Sequence, residues 1–118
     1  MTPASPAGDD LEISPADTAA ALADGSAVVV DVREPYELEE GYIEGTRHIA
    51  LERLASQSNS LPKDGKVIFL CHSGVRSAMA AQAFRAAGID AWSMAGGIVQ
   101  WNEEGRPLVA DGGKVADH

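Results

Sequence analysis

A single cysteine and an arginine five positions later are the residues of this chain whose types and spacing could do chemistry. Cys71 is the one cysteine among 118 residues, and it directly follows the apolar run VIFL. Arg76 stands at the start of an alanine-rich segment that is typical of a helix. A cysteine near a helix N-terminus and a cationic side chain has a lowered pKa and reacts as a thiolate. The spacing therefore predicts a nucleophilic sulfur that attacks an electrophilic sulfur or phosphorus atom.

The four residues between Cys71 and Arg76 are too few for anything but a tight loop. Gly74 permits the backbone angles that a cradle of inward-facing N–H groups requires, and the guanidinium fork of Arg76 suits an oxyanion. The structural alternative is that Cys71 is a small buried hydrophobe, but the glycine and arginine that follow it favour function. We therefore predict that an anion is held by the N–H groups of His72, Ser73, Gly74, Val75 and Arg76.

The elements that must position this loop alternate along the chain. A helix is predicted from Pro15, capped by Ser14, to Gly25. Further helices are predicted at 36–40, 51–57, 77–87 and 97–104, and strands at 27–32, 47–50, 67–70 and 91–94. This alternation predicts an α/β fold with a central, mainly parallel sheet flanked by helices. Cys71 then lies at the carboxyl end of a strand, where such sheets bind ligands.

The length and composition fit one small domain. We predict a flexible leader at residues 1–10, a domain at 11–108 and a loose tail at 109–118. The formal net charge of −9 disfavours nucleic acid and anionic membrane surfaces as partners. One cysteine cannot form a disulfide within the chain, the first residues show no signal-peptide pattern, and no apolar run could span a membrane. We expect a cytoplasmic monomer.

Other residues near the loop receive structural interpretations. Asp31 ends a buried strand, so its carboxylate is expected to tie loops together, with Arg33 as the neighbouring charge. Gly96 and Gly97 are expected to form a turn that lets backbone approach the cysteine loop. The acidic residues between Asp31 and Glu44 predict a solvated face, or a surface for a basic partner. The scattered histidines have no metal-ligand spacing, so no metal is predicted.

Three collinear segments resemble the rhodanese-like domains, the sulfurtransferase family. They are VVVDVREPYELEEGYIEGTRHIAL at 28–51, VIFLCHSGVRSAMAAQAFRAAGI at 67–89 and AWSMAGGIVQW at 91–101. The resemblance implies a rhodanese fold and transfer of sulfane sulfur through a persulfide on Cys71. It implies thiosulfate or another persulfide as the donor, and cyanide, a thiol or a protein as the acceptor. It implies no metal or organic cofactor.

The length of the loop bears on the chemistry that the resemblance implies. Cys71 to Arg76 spans six residues, the sulfurtransferase length, whereas the related dual-specificity and arsenate-reducing phosphatases use one residue more to make room for phosphate. A phosphatase or arsenate reductase on the same scaffold stays open as an alternative, as does a noncatalytic binding module. His72 stands where many family members have arginine. Because histidine is charged only when it is protonated, the entrance to the site carries a less permanent positive charge. The net charge also slows the approach of a dianion, which predicts modest thiosulfate activity and a preference for a thiol or protein donor.

Overall fold

A five-stranded, all-parallel sheet forms the centre of the fold. The computed structural model describes residues 11–109 and 115–116. The strands are β1 Glu12–Ile13, β2 Ala27–Asp31, β3 Arg47–His48, β4 Lys66–Leu70 and β5 Asp90–Met94. Each neighbouring pair of strands is parallel, in the order β1-β5-β4-β2-β3. The predicted α/β fold with a mainly parallel sheet is therefore confirmed, and β4, the strand that precedes Cys71, lies in the middle.

Helices connect the strands and pack on both faces of the sheet. The predicted helix over 77–87 begins earlier, at Val75, because Gly74 with a φ of 110° turns the chain into it. Within residues 11–109 and 115–116, no helix combines the length and the apolar character needed to cross a bilayer. The helices are α1 Pro15–Asp24, α2 Pro35–Leu38, α3 Leu54–Gln57, α4 Val75–Ala86 and α5 Gly97–Glu103, with 3-10 turns at Leu51–Arg53 and Ser58–Ser60.

The side chains of β4 alternate between two apolar clusters, one on each face of the sheet. Phe69 packs against Phe84 of α4, and the two ring centroids lie 5.1 Å apart. Leu70 lies in the opposite cluster together with Trp101 of α5. Each such buried side chain contributes about 1.5–3 kcal/mol by leaving water. Packing from both sides anchors the strand, which fixes the position of the residue that follows it.

The C-terminal residues depart from the predicted loose tail. β6 Leu108–Val109 pairs with β7 Val115–Ala116 in a separate antiparallel pair. Val109 also exchanges two backbone hydrogen bonds with Tyr42, of 2.7 and 2.8 Å. Strands this short carry no alternation of apolar and polar residues, so the sequence pattern could not indicate them. The predicted leader at 1–10 and the other residues of the tail lie outside the described part of the chain.

Candidate active site

Cys71 directly follows β4 and belongs to one of the two apolar clusters, and polar groups of the loop and of α4 contact its sulfur. The residue is only 1% exposed. The Sγ atom accepts hydrogen bonds from the N–H groups of Gly74 at 3.1 Å and of Ser77 at 3.4 Å. The Ser77 hydroxyl lies 3.5 Å from the same sulfur. The N–H of Gly74 therefore faces the sulfur, and Ser77 joins it from beyond the predicted loop.

The loop and the start of α4 form one continuous turn beside the sulfur. Gly74 is the N-cap of the helix, and its carbonyl accepts the first helical hydrogen bond, from Ala78 N–H at 3.0 Å. The N–H groups of Val75, Arg76 and Ser77 precede that bond and lie at the positive end of the helix dipole. A negatively charged sulfur is stabilised at this end of a helix.

Opposing effects act on the pKa of the Cys71 thiol. Burial is the largest single effect and raises this pKa. Hydrogen bonds from the Ser77 hydroxyl and from the N–H groups of Ser77, Gly74 and Ser73 lower it, and together they outweigh burial. Because these hydrogen bonds are made to the charged form, the site favours a thiolate more than water does.

A pair of buried hydroxyl groups extends from the sulfur towards β5. Ser77 and Ser93 are fully buried, and their Oγ atoms lie 2.7 Å apart. The Ser77 hydroxyl also lies 3.2 Å from the Gly74 carbonyl. When Ser93 donates to Ser77, the Ser77 hydrogen is available to the Cys71 sulfur. The sequence pattern missed both serines, and its only signal was that Ser77 directly follows Arg76.

The first turn of α5 holds the loop from the other side. Ile98 N–H donates to the Cys71 carbonyl at 2.9 Å, and Val99 N–H donates to the His72 carbonyl at 3.1 Å. Gly97 lies at the contact with a φ of 61°, and a Cβ atom there would be 2.5 Å from both of these carbonyl oxygens. Gly97 thus allows the backbone of α5 to approach the carbonyl oxygens of the cysteine loop closely. Gly96, with a φ of 73°, is the N-cap of the helix.

Arg33 is a buried guanidinium paired with Asp31. Their side chains are 3% and 0% exposed. Arg33 Nε donates to both carboxylate oxygens at 3.0 and 3.1 Å, and Nη2 donates to Oδ2 at 2.8 Å. Arg33 also donates to the carbonyl oxygens of Gly41 at 2.8 Å and Glu37 at 3.4 Å. These bonds tie the end of β2 to the α2 segment.

The Arg76 guanidinium is engaged by Glu37, one of the acidic residues that the sequence pattern assigned to a solvated face. Nη1 and Nη2 donate to Oε1 and Oε2 of Glu37 at 2.8 and 2.9 Å. Arg76 is the main reason that the pKa of Glu37 is lowered to about 2, and Glu37 in turn raises the pKa of Arg76. The Arg76 guanidinium, which is predicted to bind an oxyanion, is therefore already paired with the carboxylate of Glu37 in the same chain.

A recess of about 360 Å³ opens beside the loop. His72 and Ser73 line it with exposed side chains, and a larger cavity of about 670 Å³ adjoins it through His72. Cys71, Gly74 and Val75 do not line the recess, and Val75 is 68% exposed. In the described part of the chain, no three His, Cys, Asp or Glu side chains are grouped so that they could hold a metal ion. The remaining residues that line the recess are Arg33, Tyr36, Glu37, Glu40 and Arg76.

Comparison with known sequences points to one family. The family model described as Rhodanese-like domain matches residues 14–104. The protein named Sulfurtransferase of Allochromatium vinosum is 33% identical over 94 residues, which cover 78% of this chain and 88% of that protein. YqhL of Bacillus subtilis is 40% identical over 76 residues, which cover 64% of this chain and 60% of that protein. This chain thus spans less than two thirds of YqhL.

Solved structures share the same architecture. A rhodanese-related protein from Thermoplasma volcanium superposes with a TM-score of 0.78 at 34% identity, covering 86% of this chain and 99% of that one. A Rhodopseudomonas palustris protein described as a possible tyrosine phosphatase superposes with a TM-score of 0.72 at 30% identity, covering 83% of each chain.

Proposed function

Because this chain belongs to the rhodanese-like domain family, we propose that it is a sulfurtransferase that carries sulfane sulfur as a persulfide on Cys71. The donor is thiosulfate or another persulfide, and the acceptor is a thiol, cyanide or a protein. The observation that carries this proposal is the convergence of the Gly74 and Ser77 N–H groups on the buried Sγ atom of Cys71. These groups favour the thiolate before the donor arrives, so no separate general base is required.

The first half of the reaction loads sulfur onto Cys71. The thiolate attacks the terminal sulfur of thiosulfate, a bond forms between Sγ and that sulfur, and the sulfur–sulfur bond of thiosulfate breaks with its electron pair leaving on sulfite. With a persulfide donor, the leaving group is the thiolate of the donor. Atoms and charge balance in both cases without an oxidant or a reductant. N–H groups at the start of α4 stabilise the new terminal sulfur anion.

The second half of the reaction returns the enzyme to its thiolate. Cyanide or an acceptor thiolate attacks the terminal sulfur of the persulfide, and Cys71 leaves with the electron pair of the broken sulfur–sulfur bond. A thiol with a lowered pKa leaves faster in such exchanges. The hydrogen bonds that lower the pKa of Cys71 therefore assist both halves of the cycle.

Hydrolysis of phosphate esters is the second candidate, and the similarity to the Rhodopseudomonas palustris protein favours it. Two features weigh against it. The loop from Cys71 to Arg76 has six residues, the shorter length that the family resemblance associates with sulfur transfer. The Arg76 fork that would hold the phosphate oxygens is paired with Glu37.

A pair of turnover assays separates the two candidates. The parent chain and Cys71→Ser are incubated with cyanide and either thiosulfate or glutathione persulfide, and thiocyanate is measured. Hydrolysis of para-nitrophenyl phosphate is followed in parallel. We expect the parent chain to raise the rate of thiocyanate formation above that measured without protein and Cys71→Ser not to raise it, while the ester is not cleaved. Cleavage of the ester that depends on Cys71, without formation of thiocyanate, would overturn the proposal.

A further inference from the structure

We propose that Glu37 sets the choice of sulfur donor by occupying the guanidinium fork of Arg76. Thiosulfate and other oxyanion donors must displace this carboxylate, whereas persulfides of thiols that lack an oxyanion do not. The inference rests on the proposed function, because it concerns the donor for the same Cys71 sulfur. It also assigns a role to a residue that lies 39 positions away from Arg76 along the chain.

The geometry of the ion pair is that of a positioned contact. Both terminal nitrogens of Arg76 are used, at 2.8 and 2.9 Å, and the two side chains are only 32% and 17% exposed. Glu37 is also held by its own helix. Its Oε1 atom accepts the Glu34 N–H at 2.8 Å, as part of a capping box at the start of α2. The Glu37 carboxylate is therefore oriented independently of Arg76. Formation of the ion pair consequently costs little further side-chain entropy.

The charges around the recess leave little attraction for a dianion. Two arginines line the recess, and both are paired: Arg33 with Asp31 and Arg76 with Glu37. Glu40 adds a further carboxylate to the lining. Since the opposite charges cancel at short range, the field at the mouth is not the strongly positive one that captures thiosulfate. The net charge of −9 on the whole chain also opposes the approach of a dianion, but salt screens this effect.

Binding of an oxyanion at Arg76 consequently exchanges one charge-assisted pair for another. The donor can bind the Arg76 guanidinium only when Glu37 leaves it. The affinity for thiosulfate is therefore reduced by the free energy of the Glu37–Arg76 pair. A persulfide delivers its terminal sulfur to the N–H groups around Sγ, which Glu37 does not contact. Because the pKa of Glu37 is about 2, the carboxylate stays ionised near neutral pH and the competition persists there.

Glu37→Gln is the variant that tests this inference. Glutamine keeps an oxygen that can accept the Glu34 N–H, so the capping box is retained, but the charge on the fork is removed. Glu44→Gln is the control for the loss of one negative charge, because Glu44 is an exposed carboxylate of the same acidic segment and does not line the recess. For each chain, kcat/KM is measured with thiosulfate and with the persulfide of 2-mercaptoethanol, which carries no oxyanion, and thermal unfolding verifies the fold.

We expect Glu37→Gln to raise kcat/KM for thiosulfate by about three- to tenfold and to leave that for the persulfide of 2-mercaptoethanol within about twofold. Glu44→Gln is expected to change either value by less than about twofold, because it alters only the screened field. In an Arg76→Gln background, Glu37→Gln should have no effect on thiosulfate, since the group for which the two anions compete is gone.

Equilibrium binding separates capture of the donor from the later steps. With Cys71→Ser as the background, we expect calorimetry to show that Glu37→Gln tightens thiosulfate binding by about three- to tenfold. Unchanged binding, or an equal rise in kcat/KM for both donors, would overturn the inference while the proposed function stands. If neither thiosulfate nor the persulfide of 2-mercaptoethanol loads Cys71 of the parent chain, the proposed function falls, and the inference falls with it.

Discussion

The backbone N–H of Ile98 donates to the carbonyl oxygen of Cys71 over 2.9 Å. The N–H of Val99 donates in the same way to the carbonyl oxygen of His72. The N–H groups of α5 therefore bind carbonyl oxygens of the loop, while α4 directs N–H groups at the sulfur. Each peptide of the loop has its carbonyl and N–H on opposite sides. Holding the carbonyl oxygens against α5 therefore helps to turn N–H groups towards the sulfur, and two helices together build the site.

Replacement of Gly97 is the most direct way to disturb this arrangement. In Gly97→Ala, the left-handed backbone costs about 1–2 kcal/mol, and the added Cβ atom would lie 2.5 Å from the carbonyl oxygens of Cys71 and His72. We expect a larger loss in the free energy of unfolding than the backbone cost alone, together with a loss of sulfur transfer. Urea unfolding and the thiocyanate assay measure the two effects.

Gly105→Ala is the matched control for Gly97→Ala. Gly105 also has a left-handed backbone, with a φ of 76°, but a Cβ atom there would meet nothing within 4 Å. Only the backbone cost should appear, and sulfur transfer should be retained. Equal losses of stability and activity in the two variants would contradict the role assigned to the contact between α5 and the loop.

Removal of the Ser77 hydroxyl is predicted to raise the pKa of the Cys71 thiol, because this hydroxyl is one of the groups that lower it. Hydrogen bonds to charged groups contribute about 1.5–3 kcal/mol, so Ser77→Ala should slow alkylation of Cys71 by iodoacetamide about tenfold or more at pH values below the pKa. The rates should converge at high pH, where the thiol is ionised in both chains. Ser93→Ala should give a smaller shift in the same direction, and an unchanged pH profile for Ser77→Ala would refute the prediction.

The buried ion pair between Arg33 and Asp31 is predicted to matter for stability. Removing one partner of a buried pair leaves the other charge uncompensated and costs about 3–5 kcal/mol. We expect Asp31→Asn to lower the free energy of unfolding in urea by this amount. Glu104→Gln, which breaks the part-exposed pair of Glu104 with Arg106, should cost less than about 1 kcal/mol. Similar losses in the two variants would show that burial does not set the strength of the first pair.

The Glu37–Arg76 pair predicts a specific dependence of stability on pH. The pKa of Glu37 falls from an ordinary value of 4.5 to about 2 on folding, so its contribution is fully present above about pH 4.5 and is lost as the pH falls towards 2. The contribution is at most about 3 kcal/mol. The difference in unfolding free energy between the parent chain and Glu37→Gln should therefore shrink over this range. A difference that is constant with pH would mean that the pair does not stabilise the fold.

Local signals in the sequence were sufficient to predict much of the fold. At α1, the Ser14 side chain accepts the Asp17 N–H at 3.0 Å, and Gly25 ends the helix with a φ of 74°. These residues act within a few positions of one another, so their types reveal the boundaries of the helix. The same holds for Gly74 and Cys71, whose contact spans three positions.

The contacts of Glu37 and Ser93 could not be predicted in this way. The Oγ atoms of Ser77 and Ser93 meet across 16 positions, and Glu37 and Arg76 across 39. Both contacts depend on the order of the strands, in which β4 lies between β5 and β2. The carboxyl ends of these strands meet at one edge of the sheet, and the segments that follow them are thereby brought together. The identity of a glutamate or a serine does not by itself reveal such a partner.

The mass of the intact chain after reaction with a persulfide tests the central claim most directly. The parent chain and Cys71→Ser are each mixed with glutathione persulfide, freed of excess reagent and analysed by mass spectrometry before and after treatment with cyanide. We predict that the parent chain gains the mass of one sulfur atom, that Cys71→Ser gains nothing, and that cyanide removes the added mass. If the parent chain gains no sulfur, or if Cys71→Ser gains as much as the parent chain, Cys71 is not the carrier of sulfane sulfur.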